Sequence, residues 1–324
     1  MLPCAFTKKL NGKEMDKIIG LVDRLFNYYK KFLQGKDLGI KLSLIAFLSR
    51  GHILIEDSPG LGKTTLAIAI AKSMGVTFSR IQCTNDLLPT DITGLNIFNK
   101  ETGEFEFKPG PIFNNILLVD EINRATPKTQ SALLEAMGEK QVTIEGKTFK
   151  LSQPYFVIAT QNSVESYGTF PLPESQLDRF IMKINLGYPT KEEELEILKG
   201  GSSRSKIYES EPAISKDDAL TLIEFVKEKV KIDDTILEYL IEIVDKTRHH
   251  SKMVTGLSTR AALSIVNVAK ALALINRRDY VIPEDITDYY KYTMLHRITF
   301  KGALSNEEKL DILESIIKSV KLPY

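Results

Sequence analysis

Sulfur and imidazole are scarce in this chain of 324 residues, which holds two cysteines and four histidines. Cys4 and Cys83 are far apart and form neither a C-x-x-C nor a zinc-ligand spacing. That excludes a cysteine-based metal or redox motif and fits a reducing compartment. Only His249-His250 make a cluster, and adjacent residues on a helix do not share a face, so no metal site is expected there. An excess of one charge is also missing: 43 Lys and Arg against 42 Asp and Glu leave a net +1. Nothing global therefore favours nucleic acid or an anionic membrane as partner. No apolar run reaches the roughly 20 residues of a bilayer-spanning helix. At the N-terminus Lys8 and Lys9 follow the apolar residues and no long apolar stretch succeeds them, unlike a signal peptide. A cytoplasmic protein is the expectation. Internal repeats and low-complexity tracts are absent as well.

What is present begins with Asp57-Ser58-Pro59-Gly60-Leu61-Gly62-Lys63-Thr64-Thr65. The apolar run Ile53-Leu54-Ile55 precedes it, and a helical pattern through Leu66, Ile68, Ile70 and Met74 follows. Strand, glycine-rich turn, Lys-Thr and helix together predict a phosphate-binding P-loop spanning Ser58 to Thr65. Gly60 and Gly62 let backbone N–H groups turn toward phosphate oxygens, and the helix N-terminus adds partial positive charge. Lys63 is the candidate cation for the β- and γ-phosphates of ATP, and the Thr64 hydroxyl a candidate Mg²⁺ ligand. Asp57 stands where the motif has its first glycine.

A second signature is Asn115-Ile116-Leu117-Leu118-Val119-Asp120-Glu121, a buried strand ending in two carboxylates. Asp120 is placed to support Mg²⁺ through water, and Glu121 to polarise the attacking water. Strand ends in open α/β sheets share one crevice, so both motifs point into the same site.

Residues 12–50 carry helical spacing. Further strands are expected at 76–83, 155–160 and 180–186, and a short helix or loop at 87–95. Hairpins are expected at 96–108 and 141–150, with a helix over 128–139. Thr190-Lys191-Glu192-Glu193 reads as a capping box. Gly200-Gly201-Ser202-Ser203 reads as a linker. Beyond it the β signals nearly vanish: 215–231, 235–249, 259–275 and 306–320 have 3.6-residue apolar spacing, and Pro283 opens another helix. The length suffices for two domains. The expected fold is α/β, a nucleotide-binding core followed by an all-helical domain.

Several long motifs then resemble the MoxR family of AAA+ ATPases, within the helix-2-insert clade. They are Asp120-Glu121-Ile122-Asn123-Arg124-Ala125 continuing through Met137, Asp91-Ile92-Thr93-Gly94, Gly110-Pro111-Ile112-Phe113 and Ala159-Thr160-Gln161-Asn162. To these are added residues 172–180, which include Asp178-Arg179-Phe180, and Gly256-Leu257-Ser258-Thr259-Arg260-Ala261-Ala262. The match covers about residues 40 to 290.

The resemblance implies an αβα P-loop core with a parallel sheet at 41–200 and two hairpin insertions. An N-terminal helical segment at 1–40 would precede it, and a helical lid at 201–324 follow. It further implies that Asn162 is a sensor positioning water. Arg179 would be an arginine finger for a neighbouring subunit, hence a ring, expected to be a hexamer. Arg260 would be a second sensor, carried on the lid and contacting the nucleotide. Arginine suits both roles, being always charged and presenting a planar donor fork. Thr259 stands where the family often has proline. Implied partners are a von Willebrand factor A domain protein and a client protein that is remodelled, matured or activated. Rival readings are a nucleic-acid motor of the same clade, a metal-chelatase-type ATPase subunit, and a nucleotide-gated scaffold with little turnover.

Overall fold

The computed structural model describes residues 12–33, 35–58, 60–162, 168–200 and 204–323. Two helices lead in, α1 (Gly12–Phe32) and α2 (Asp37–Leu48). α1 buries one stripe through Ile18, Leu21, Val22, Leu25 and Tyr29, the spacing of an amphipathic helix. α2 is buried from Gly39 to Leu48 except at Lys41, as its largely apolar sequence requires.

The nucleotide-binding pattern then unfolds in order. β1 (Ile53–Glu56), α3 (Lys63–Ser73) and β2 (Phe78–Gln82) are followed by the short α4 (Pro89–Thr93). A hairpin of β3 (Gly94–Asn99) and β4 (Glu104–Pro109) precedes β5 (Ile116–Asp120) and α5 (Pro127–Glu139). A second hairpin, β6 (Gln141–Ile144) and β7 (Lys147–Lys150), precedes β8 (Phe156–Gln161), α6 (Glu174–Leu177) and β9 (Met182–Ile184). β1, β2, β5, β8 and β9 form one sheet in the order β2-β5-β8-β1-β9, every pair parallel. Parallel pairing needs crossovers, and both faces are consequently covered. Ile53, Ile55, Ile116, Leu118, Phe156 and Ile158 face one cluster, shared with α1, α2 and α3. Leu54, Leu117, Val119, Val157 and Ala159 face the other, with Leu133 and Met137 of α5. The two-residue alternation of strands produces this division. The two hairpins touch: the Phe107 and Phe149 rings stack 4.7 Å apart, and Asn96 hydrogen-bonds Glu145.

After β9 come α7 (Lys191–Gly200), α8 (Arg204–Glu209), α9 (Lys216–Glu228) and α10 (Asp234–His249). β10 (Met253–Thr255), α11 (Thr259–Ile275), α12 (Pro283–Thr287), α13 (Tyr290–Thr293), β11 (Thr299–Phe300) and α14 (Asn306–Lys318) complete the chain. The box before α7 forms as expected, Thr190 N–H donating to Glu193 at 2.8 Å and Glu193 N–H to Thr190 Oγ1 at 3.3 Å. Three expectations change. The strand expected at 180–186 shrinks to β9, because the Phe180 N–H still closes a turn on Leu177 O. Gly200 ends α7 and does not open the linker read at 200–203; residues 201–203 lie outside the described residues. A small antiparallel pair, β10 with β11, sits among the later helices.

Candidate active site

β1 delivers the chain to the glycine-rich turn. Gly60 and Gly62 adopt φ of 87° and 88°, the left-handed region where a side chain would be strained. No atom lies within 4 Å of where a Cβ would stand on either, so the turn presents bare backbone to open space. Lys63 opens α3, and its Nζ donates to Asp57 O at 2.7 Å. Burial lowers the Lys63 pKa, and Asp57, Asp120 and Glu121 pull it back up. The position lacking the motif glycine has a second use: the Asp57 carboxylate accepts from the Leu186 N–H, tying the turn to the chain after β9. Pro59 lies outside the described residues.

β5 ends at the same crevice. Asp120 Oδ2 accepts from Arg80 Nε at 2.7 Å, and Oδ1 accepts from Thr160 Oγ1 at 3.2 Å. Thr160 on β8 also accepts the Glu121 N–H at 3.0 Å. That bond helps hold Glu121 at φ 56°, an uncommon conformation for a residue with a side chain. Glu121 Oε2 accepts from Gln82 Nε2 at 3.2 Å and Arg124 Nη1 at 3.0 Å.

A cleft of about 820 Å³ gathers Gly60 through Thr65, Asp120, Glu121, Thr160 and Asn162. Ser58 precedes the turn and is not part of its lining. Arg80, Gln82, Arg204, Lys206 and Tyr188 line it too, although sequence reasoning had not singled them out. Arg80 and Gln82 lie two apart on β2, hence on one face, and Gln82 pairs in register with Asp120. That alternation becomes a signal only once the neighbour of β5 is known. Thr64 Oγ1 and the Asp120 carboxylate are hard oxygen donors of the kind Mg²⁺ takes. Among the described residues no group of three or more His, Cys, Asp or Glu could hold a metal ion.

Arg179 and Arg260 are not in this cleft. Arg179 follows α6, and its Nη1 donates to Leu134 O on α5 at 2.9 Å, beside a small hollow that Glu135 and Glu139 also line. Arg260 is exposed on the first turn of α11, whose cap Ser258 donates to Asp178 at 3.1 Å. Both arginines thus belong to the neighbourhood of Asp178. There Arg297, 1 % exposed, donates to Asp178 at 2.9 Å and to Phe180 O at 2.7 Å. The same carbonyl meets His296 Nε2 at 2.9 Å. Burial drives His296 down to about 3, aided by the adjacent Arg297 charge.

A parallel sheet, a glycine-rich turn opening a helix, and an Asp-Glu pair at the end of β5, one strand removed across the sheet, define a P-loop ATPase. Residues 52–182 match the model of the ATPase family associated with various cellular activities (AAA), and residues 245–316 match the AAA lid domain. The chain is 39% identical over 314 residues to the chaperone MoxR1 of Mycobacterium tuberculosis, covering 93% of this chain and 82% of that one. It is 47% identical over 306 residues to YeaC of Bacillus subtilis, covering 94% and 95%. The crystal structure of a candidate ATPase from Cytophaga hutchinsonii superposes with a TM-score of 0.86 at 39% identity, covering 97% of this chain and 98% of that one. The chain belongs to the MoxR family of AAA ATPases and is an ATPase. Among the described residues no helix is long and apolar enough to cross a membrane.

Proposed function

We propose that this ATPase hydrolyses ATP with Mg²⁺ in a site shared between neighbouring copies of the chain, and that turnover remodels or activates a partner protein complex. The observation that carries the shared site is the separation of Arg179 and Arg260 from the cleft holding Lys63, Asp120 and Glu121. An arginine with no route to its own chain's phosphate is useful to a neighbour, which favours a ring, expected to be hexameric. The assignment of an ATPase core to 41–200 and a helical lid to 201–324 belongs to the same reading.

In it, the Gly60–Thr65 backbone and Lys63 hold the phosphates, and Thr64 and Asp120 support Mg²⁺. The ion supplies charge neutralisation of the phosphate oxygens. Glu121 takes the proton of the attacking water, and Asn162 orients that water. Thr160 fixes the Asp120 carboxylate and the Glu121 backbone, donating its hydroxyl hydrogen to the first and accepting the Glu121 N–H with its oxygen. Arg179 of the next copy stabilises charge as the γ-phosphoryl transfers. A partner with a von Willebrand factor A domain, a protein client and a cytoplasmic setting complete the reading; the near-zero net charge weighs against nucleic acid.

Mixing Arg179→Ala with Glu121→Gln tests the shared site. Each variant alone is expected to be nearly inactive. Mixed assemblies pair an intact Glu121 from one copy with an intact Arg179 from the next, so their ATPase activity should exceed that of either variant. Mixed assemblies that form and stay inactive overturn the shared site.

A further inference from the structure

Arg179 reaches α5 at a glycine. Its Nη1 donates to Leu134 O at 2.9 Å, and Gly138 lies one turn further along the same helix. In an α-helix the N–H of residue 138 points at the carbonyl of residue 134, so both lie along one strip of the helix surface. A carbonyl has two lone pairs, and the guanidinium takes the second one here. A Cβ on Gly138 would stand 2.5 Å from that Nη1, well inside van der Waals contact. The missing side chain is what opens Leu134 O to Arg179.

Glycine is otherwise a poor choice for this position. Gly138 is exposed, sits inside the last turn of α5, and does not adopt the left-handed backbone that calls for glycine. Helix positions favour almost any residue over it. Apart from the helix itself, the atoms that a Cβ would crowd all belong to Arg179: Nη1 at 2.5 Å and Cζ at 3.8 Å. They are the far end of a long, flexible side chain. An added side chain therefore moves the guanidinium and leaves the backbone where it is.

The other end of Arg179 is held separately. Its N–H closes a turn on Gln176 O at 3.1 Å, and the flanking Asp178 and Phe180 are both bonded to Arg297. Backbone and guanidinium are thus fixed from two sides, by the helical part of the chain and by α5. Because the guanidinium is a rigid planar fork, one bond at its tip orients the whole group. Glu135 and Glu139 line the hollow beside it and offer carboxylates to a guanidinium that leaves Leu134 O.

We propose that Gly138 is a positioning residue for Arg179: by lacking a side chain it seats the guanidinium on Leu134 O, in the orientation in which a neighbouring copy meets it. The assignment rests on the reading of Arg179 as the residue that completes a neighbour's site. Gly138 does not line the nucleotide cleft. A change at 138 therefore harms turnover in the neighbour and not the binding of nucleotide to its own chain.

The test uses the full chain carrying Gly138→Ala or Gly138→Met, both replacements being good helix formers, beside Arg179→Ala. Misplacing a reacting or stabilising group by about 1 Å costs on the order of a hundredfold, so ATPase turnover should fall about tenfold in Gly138→Ala and about a hundredfold in Gly138→Met. Fluorescent ADP should bind as it does to wild type. Melting temperature should match or exceed the wild-type value, because the helix gains by losing a glycine. Turnover lost together with stability would mark a merely structural role and overturn the proposal. Mixing separates the two further, since Gly138 and Arg179 belong to the same copy. Gly138→Met mixed with Glu121→Gln should regain turnover, as Arg179→Ala does, whereas Gly138→Met mixed with Arg179→Ala should not. Wild-type turnover in Gly138→Met while Arg179→Ala is inactive overturns the Gly138 assignment alone, as does recovery on mixing with Arg179→Ala. Wild-type turnover in Arg179→Ala overturns the shared-site reading, and Gly138 falls with it.

Discussion

Replacing Asp178 by alanine isolates the contact that joins the Arg179 segment to the helical part of the chain. Asp178 is 17 % exposed and faces a guanidinium that is 1 % exposed, at 2.9 Å. Burial, offset in part by Asp178 and aided by the Arg260 charge, brings Arg297 down to about 10. The Arg297 cation thus sits where water cannot replace its partner, and Phe180 O is left as an uncharged acceptor. Removing one member of a buried pair costs about 3–5 kcal/mol. Water reaches the Asp178 side, so about 2–4 kcal/mol is the expected loss. Arg297→Met added to Asp178→Ala removes the stranded charge and should restore much of it. Urea denaturation of the wild type, both single variants and the double variant closes a cycle whose coupling should be at least about 2 kcal/mol. ADP affinity should be unchanged in all four, because the cleft is elsewhere, while ATPase activity falls through the displaced Arg179. Additivity within about 0.5 kcal/mol would refute the argument that this pair bears the junction.

Thr160→Val keeps the shape of β8 but removes the hydroxyl that accepts the Glu121 N–H and donates to Asp120. Its ATPase activity should fall about ten- to a hundredfold, from loss of about 1–3 kcal/mol of positioning, with ADP affinity kept within about twofold; unchanged turnover would contradict the positioning role. Acid should destabilise the fold through two buried imidazoles. Burial brings His52 down to about 4 and His296 to about 3, so both are neutral in the fold at a pH where the unfolded chain has taken up protons near 6.5. Their contribution is fully present above about pH 6.5 and is lost progressively below it, approaching about 2.7 kcal/mol per pH unit when two protons are involved. Thermal melts from pH 7.5 to 4.5 should show the decline, and a flat profile would show that neither imidazole is held neutral.

Legibility in the sequence tracked how local each determinant is. The P-loop and the Asp120-Glu121 strand could be read because a turn, an apolar run and a helix start lie within one short stretch each. Both hairpins and α5 were legible for the same reason. The Thr190 box also formed as read, since its two bonds span three residues. β10 and β11 have too few residues for any periodicity. Gly200 signalled a break, yet glycine at a helix end is equally at home, and α7 runs to it. The remaining cleft residues were hidden by distance along the chain. Arg80 matters because β2 pairs with β5, and Arg204 because α8 packs on α3, contacts made 40 and 139 residues apart. His52 and His296 carry no local sign of burial; the only histidines that drew notice were the adjacent pair His249-His250.

The contacts also say how the two ends of the proposed shared site move together. Asp178 is held by Arg297 and Ser258, and Phe180 O by Arg297 and His296, so the residues on both sides of Arg179 are fixed to the helical part of the chain. Ser258 caps α11, which carries Arg260. A shift of that part therefore carries both arginines. The cleft has its own tie to the same part: α1 packs on α3, α9 and α11, and its Tyr28 bonds Ser210 beyond α8. Physical continuity of this kind permits coupling but does not establish it, since coupling requires an element with two arrangements that both sites bias. The Asp178–Arg297 pair is where that requirement can be probed. If it transmits, Asp178→Ala should reduce the dependence of ATPase rate on protein concentration, because the arginine supplied to the neighbour is no longer held in place. If the variant keeps the wild-type concentration dependence while losing stability, the pair braces the fold and does not link the sites.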